Sequence, residues 1–270
     1  MWNPIRRNRN LGTSKQGHGQ NNKLTIAKPC MISKSFYERL DFYNKVERTI
    51  NGHTFIFVIE TTRQSCYHAC SVMDIEKIVE NIPISDYGDL KLIVLRQPKR
   101  KEEMISPVWG RLIYSYEFED NYYPAIIVEA VDYSKKINWN RSQTPEDQRE
   151  FERLKIDGHH FLESKKTFNA LLQIDNVRNT QLYRTLIHEF GHYKQYLEIV
   201  ERAGHEDEDF EEWNKRNEKY FKISSSDKES YAHKYADELI NKLREENIVP
   251  FDRISDIYSD EKMVHKKSSQ

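Results

Sequence analysis

The sequence contains no apolar run approaching the roughly 20 residues that cross a bilayer, and its first thirty residues lack the apolar stretch of a secretory signal. It also has no excess of charge, because 42 lysines and arginines nearly balance 43 acidic residues. Such a balance gives no field that would draw the whole chain to nucleic acid or to an anionic membrane. Three cysteines, an odd number, argue against a disulfide framework. These absences predict a cytoplasmic protein without a membrane partner.

The two ends of the chain are polar, and the apolar residues that build a core lie between them. Residues 1–34 hold seven basic residues and no acidic one, which predicts a disordered basic tail. Residues 250–270 predict a polar C-terminal tail, and residues 35–249 then form one domain. The basic tail alone has a composition suited to RNA, DNA or an acidic partner. Basic tails are more often simply solvated, so nucleic acid is not an expected partner.

Between the tails, the apolar patterns predict both strands and helices. Strands are predicted at 53–62, 90–95, 111–117, 125–131 and 168–174, and helices at 71–82, 179–203 and 227–244. The segments 134–153 and 205–212 are polar and predict connections, and Gly204 is placed to cap the second helix. This order predicts an α+β fold with a small mixed sheet packed against the long helix.

The long predicted helix contains the HExxH pattern, as His188-Glu189-Phe190-Gly191-His192. Histidines four residues apart lie about 40° apart around a helix axis, so both imidazoles can bind one ion. Glu189 is offset by about 100°, which keeps it off the metal but near enough to act as a general base on water. With ten histidines in the chain, a chance occurrence has a probability of only about 3%. The pattern therefore predicts a metal site with a base beside it.

Catalytic zinc usually has three protein ligands, so a third ligand is needed. Glu198 stands six residues after the second histidine, but no glycine turn precedes it and the helix carries it away from the histidine face. Glu229 is the better candidate, because it lies within about 80° of Ala232 and Ala236 on the apolar face of the last helix. A buried carboxylate there needs a partner, and small alanines would let two helices approach closely. The alternative is a capping box in which Glu229 bonds back to Ser226.

The motif HEFGH, followed by E-x-x-A-x-x-Y-A over Glu229–Ala236, resembles the gluzincin zinc peptidases and most closely the compact ImmA/IrrE-type metallopeptidases. The resemblance would cover about residues 50–245. It implies a zincin-like fold, a Zn²⁺ ion held by His188, His192 and Glu229, and a peptide or protein substrate. It also implies that the strand at 168–174 is the edge that lines the substrate cleft and pairs with an extended peptide.

One position departs from the thermolysin-like pattern, in which an aspartate follows the ligand glutamate by four residues. This chain has His233 there, for which a role behind the ligands, a role in stabilising the transition state and a plain surface role all remain open. Tyr231 and Tyr235 are candidates to polarise a carbonyl, although Tyr235 fits the core better.

Two other short segments contain residues that can bind metals, but neither is accompanied by a further cysteine or histidine pair at zinc-finger spacing. Cys66 and Cys70 flank His68, which favours a buried cysteine pair over a second metal site. His159 and His160 precede the predicted edge strand and suit either an exposed turn or a cleft.

The sequence as a whole predicts metal-assisted peptide hydrolysis. The alternative is a catalytically idle, metal-binding regulatory or partner-binding protein that keeps the zincin fold. The intact Glu189 argues against it, because a structural site needs ligands but no base. The same ligand set also suits Fe(II), Mn or Co, so zinc is the expected ion rather than the sole candidate.

Overall fold

The computed structural model describes residues 38–105, 108–205 and 208–255, so both predicted tails, apart from 250–255, lie outside the described residues. Its strands are β1 (Tyr43–Ile50), β2 (His53–Glu60), β3 (Cys66–Tyr67), β4 (Leu92–Arg96), β5 (Gly110–Phe118), β6 (Asn121–Glu129), β7 (Val131–Asp132), β8 (Lys136–Asn140), β9 (Leu162–Glu163) and β10 (Thr167–Leu171). Its helices are α1 (Val72–Val79), α2 (Arg100–Ile105), α3 (Pro145–Ile156), α4 (Ile174–Thr180), α5 (Leu186–Tyr196), α6 (Phe210–Lys222) and α7 (Ser225–Glu245). Two π-helical turns, Gln181–Thr185 and Leu197–Glu201, flank α5. None of the helices in these ranges is both long and apolar enough to cross a membrane.

The main sheet has five strands in the order β1-β2-β4-β6-β5. The three inner strands are parallel, and the two outer strands are antiparallel to their neighbours. β8, β10 and β9 form a separate antiparallel sheet, and β3 pairs with β7. The predicted α+β class with a small mixed sheet is therefore confirmed.

The larger part of the core lies on one face of the main sheet, where α1, α5 and α7 pack. Phe57 of β2, Ile93 of β4 and Phe190 of α5 are completely buried there. The opposite face carries a smaller cluster around Val94 and Ile127. Because strand side chains alternate between the two faces, the same strands supply both clusters. The helix that carries HEFGH is thus fixed directly on the sheet.

Several predicted elements are confirmed with small changes in their ends. The hairpin of β5 and β6 turns at Glu119 and Asp120, both with positive φ. A full capping box between Ser71 and Asp74 begins α1. The long helix begins five residues earlier than predicted, at Ile174, and helical structure continues without a break through the second π turn.

Other predictions are wrong. The segment 134–153 contains β8 and most of α3, and residues 205–212 lead into α6, which the acidic composition did not suggest. β1 was not predicted, and Gly204 does not adopt a positive φ. The strand predicted at 168–174 exists as β10, but it is the middle strand of its sheet rather than an edge. The edge strand beside α5 is β5.

A buried ion pair holds α1 against the start of the long helix. The Arg178 guanidinium donates two hydrogen bonds to Asp74, from Nε to Oδ2 at 3.0 Å and from Nη2 to Oδ1 at 2.9 Å. Asp74 also accepts from the backbone N–H groups of Ser71 and Ile254, so it joins three segments of the chain. Residues 250–255 therefore contact the domain through this carboxylate.

Replacing Asp74 with alanine leaves the Arg178 guanidinium buried without its anion. We expect the free energy of unfolding in urea to fall by about 3–5 kcal/mol. Glu238→Ala is the control, because its pair with Lys234 is exposed and contributes less than about 1 kcal/mol. Equal losses of stability in the two variants would contradict a stabilising role for the buried pair of Asp74 and Arg178.

Candidate metal centre

The structure brings His188, His192 and Glu229 together, from α5 and α7. Nε2 of His188 lies 3.1 Å from Oε2 of Glu229, and Nε2 of His192 lies 3.4 Å from Oε1. The nearest ligand-type atoms of the three residues all fall within 4.8 Å of one another. No other group of this kind is found across the described ranges.

This donor set fits a divalent metal ion such as zinc. Two ligands bound at 2.0–2.1 Å in a tetrahedron lie about 3.3 Å apart, which is close to the measured nitrogen–oxygen separations. The contacts with both histidines lower the pKa of Glu229, so its carboxylate is an anion at neutral pH. Nδ1 of His188 is buried and has no hydrogen-bond partner among the described residues. The polar interactions of this ring are therefore concentrated at Nε2, the atom that faces Glu229.

Close packing of α5 against α7 places Glu229 opposite the histidines. A Cβ at Gly191 would lie 3.0 Å from Cα of Ala232 and 3.1 Å from its carbonyl oxygen. Ala232 is completely buried and Ala236 nearly so, which confirms that small side chains line this helix contact. Because the Ala232 backbone and the Tyr235 ring both lie this close to the added Cβ, a larger residue at Gly191 would require the helices to move apart.

The carboxylate of Glu189 is mostly buried and is held by the edge strand of the main sheet. Its Oε2 accepts a hydrogen bond of 2.8 Å from the backbone N–H of Leu112 in β5. Burial raises the pKa of Glu189, while the neighbouring histidines and the Leu112 N–H oppose that rise. Glu189 thus lies beside the ligands with one oxygen fixed, and β5 runs past it.

The π-helical turn before α5 fixes that helix along the sheet. Gln181 is buried, and its Nε2 donates to the carbonyl oxygens of Trp109 at 3.0 Å and Glu129 at 2.6 Å. One turn further along the helix, Thr185 packs closely against Gly110. The absence of a side chain at Gly110 permits this contact, because a Cβ there would lie 2.9 Å from the Thr185 side chain. Gln181, Thr185 and Glu189, which make these contacts and the bond to Leu112, are spaced four residues apart along the helix.

His233 lies beside the ligands rather than on an open surface. Its ring centroid is 4.4 Å from that of His188, and its Nε2 accepts a 3.0 Å hydrogen bond from Nη1 of Arg153. Burial, together with His188 and Arg153, lowers the pKa of His233 to about 4. Because a guanidinium only donates, neutral His233 carries its proton on Nδ1.

The other side chains that the sequence suggested for the site make contacts away from the metal ligands. The Tyr231 hydroxyl donates to Glu198 at 2.6 Å, and the Tyr235 hydroxyl donates to Asp86 at 3.1 Å. His159 is buried, and its Nε2 lies 3.1 Å from the Thr180 hydroxyl. The side chains of Cys66 and Cys70 are free and buried, and burial raises the pKa of both thiols.

Sequence reasoning missed Arg153 and Leu112 as residues of the site. Arg153 lies in the segment that was predicted to be a polar connection. The signal for a helix was present there, since Thr144 and Asp147 form a capping box with a proline at the first helical position. Leu112 contributes a backbone N–H, and no side-chain pattern identifies such a group.

Gly191→Ala tests whether the helix contact positions the ligands. We expect a loss of stability of about 1–3 kcal/mol and weaker zinc binding, because the helices must separate to accept the methyl group. Competition with a chromophoric chelator measures the zinc affinity. In the control, Gly204→Ala, the new Cβ meets only the ends of the flexible Arg216 and Glu208 side chains, so zinc binding should not change. Unchanged zinc affinity in Gly191→Ala would show that the contact does not place Glu229.

Comparison of the chain with protein-family models, with curated proteins and with solved structures found no match. Two imidazole nitrogens and a carboxylate converge on one point, and a second carboxylate is held beside them by the edge of a sheet.

Proposed function

We propose that this protein is a zinc-dependent hydrolase with a zincin-like fold, and that it cleaves peptide bonds. The observation that carries the proposal is the position of Glu189. Three ligands alone would suit a structural ion equally well. A buried carboxylate held beside them by a strand is needed only if the site also requires a base. His188, His192 and Glu229 would hold the ion. The chemistry that zinc supplies at such a site is Lewis-acid polarisation of a carbonyl and acidification of water.

Glu189 has the properties of a residue that both takes and gives a proton. The Leu112 N–H fixes Oε2, which leaves Oε1 to accept a proton from water and to pass it to the leaving amine. Burial raises the pKa of this carboxylate toward the range in which a group can do both. An ordinary, solvated carboxylate has a lower pKa and would be a weaker base toward that water.

The edge of β5 supports a peptide as the substrate. β5 ends the sheet order, and its Leu112 N–H faces the site, where it donates to Glu189. An extended peptide can pair with the remaining outward backbone groups of such an edge, and such hydrogen bonds recognise a main chain rather than one side chain. A bulge at 113–116 changes the register of β5 just beyond Leu112. Bulges of this kind redirect a strand beside active sites. The cleft thus follows β5, in place of the strand at 168–174.

Metal analysis by inductively coupled plasma mass spectrometry tests the ligand set. Wild-type protein and Glu189→Gln should each carry about one zinc per chain, while His188→Ala and Glu229→Ala should carry little. Glu198→Gln serves as the matched control, because this carboxylate is exposed on the same helical run and bonds Tyr231. Full zinc occupancy in Glu229→Ala would remove Glu229 from the site.

Hydrolysis of a library of quenched fluorescent peptides tests the base. Glu189→Gln should lose at least about a hundredfold in kcat/KM while its zinc content stays normal, since general acid–base groups contribute 10²–10⁴. Glu198→Gln should retain wild-type rates. A fully metallated wild type that cleaves no peptide would instead support the idle, metal-binding alternative.

A further inference from the structure

A cavity separate from the metal centre lies at the end of the main sheet, where β4 and β6 finish. Its volume is about 340 Å³, at the lower end of the range of ligand pockets. Arg96 and Glu129 of the sheet line one side of it. Trp109, which directly precedes β5, and Trp139 of β8 line the other sides. Neither the metal ligands nor Glu189 belongs to this cavity.

The lining of the cavity contains four acidic and four basic side chains, so its formal charges balance. Each acidic residue of the lining has a basic partner with a nitrogen–oxygen separation of 2.7–3.7 Å: Glu129 and Glu102 with Arg96, and Glu103 and Asp132 with Lys135. The apolar part of the lining includes Trp109, Ile137, Trp139, Leu154 and Leu172. A charged ligand would have to compete with these pairs, whereas a neutral apolar group would not. The lining therefore selects a bulky, neutral, apolar group.

The cavity is continuous with the edge strand that holds Glu189. Trp109 and Arg111 both line it, and Leu112 follows directly. Leu112 packs in the core on the helix face of the sheet, and Ile113 packs on the other face. Arg111 therefore belongs to the second face, the side on which the cavity opens. Trp109 lies three residues from Leu112, which is about 10 Å along a strand.

A peptide paired with β5 would direct alternate side chains to the two faces of the sheet. The side chain opposite Leu112 would face α5 and the metal centre. Side chains opposite Arg111 and Trp109, one and three positions away, would face the cavity. The same strand thus relates the reaction site to the cavity by a fixed number of substrate residues.

We propose that this cavity is a substrate subsite that binds a large apolar side chain, with aromatic side chains bound best, one or three residues from the substrate residue opposite Leu112. The proposal rests on the proposed function, because it requires a peptide on β5. The substrates would then be peptides with a bulky apolar residue near the cleaved bond. The side chain of that residue would point away from the metal, into the cavity.

Fluorescence polarisation with zinc-loaded Glu189→Gln tests the subsite without turnover. The probes are fluorescein-labelled nonapeptides of glycine, serine and alanine in which one phenylalanine is placed at each position in turn. We expect one position, or two positions separated by two residues, to bind about tenfold or more tightly than the others. Mass spectrometry of the same peptides after incubation with wild type locates the cleaved bond relative to that phenylalanine.

Two variants connect the preference to the cavity. Ile137→Trp, made in the Glu189→Gln background, fills the cavity from β8 and should abolish the preference. Asn140→Trp places the same side chain on the exposed face of that strand and should leave the preference unchanged. Trp139→Ala should reduce the preference by removing one wall. Circular dichroism establishes that each variant is folded.

The outcomes separate the subsite from the proposed function. Equal affinity at every phenylalanine position, no binding by any peptide, or an unchanged preference in Ile137→Trp would overturn the subsite, even if wild type cleaves peptides. A preference that Ile137→Trp abolishes would establish the subsite. If wild type then cleaves none of the peptides, the proposed hydrolysis fails while the peptide-binding cavity stands.

Discussion

The site depends on the contact between two helices at Gly191 and Ala232. Both residues are small, and a Cβ added at Gly191 would lie only 3.0–3.1 Å from the Ala232 backbone, so the neighbouring helix would have to shift to accept it. That contact brings Glu229 from α7 to within 3.1–3.4 Å of the imidazole nitrogens of α5. Three donor atoms from two helices can thus meet without a loop, because packing of rigid elements fixes them.

The sheet supplies the second constraint, through β5. Its backbone holds Glu189, and Gln181 holds the preceding helical turn against the end of the same strand. The proposed base and the proposed peptide edge are therefore positioned by one element. A change in the angle between α5 and β5 would move Glu189 relative to the strand edge, so the contacts between these two elements set the geometry of the proposed site.

The sequence predicted most of the site and only part of the fold. HEFGH and Glu229 were identified because their spacing on helices is fixed by helical geometry, and His188, His192 and Glu229 do lie together. The edge strand was misplaced, since strand order depends on long-range pairing that the local pattern at 168–174 does not carry. α6 was missed because its sequence is highly charged and largely exposed, so its few apolar residues did not stand out although they recur at helical spacing. Arg153 was missed with α3, whose cap was present in the sequence but was not used.

The two π-helical turns that flank α5 divide the long helix into segments with different rotational phases. Each accommodates about one residue more than a regular turn, and an added residue shifts the rotational phase of the next helical segment by about 100°. The segment from Leu186 to Tyr196 therefore has a phase of its own. Arg178 can face Asp74 at one end while the two histidines face α7 at the other. A single unbroken helix would have tied these two faces to one another, so the π turns give the metal-facing surface an orientation independent of the surface that anchors the domain.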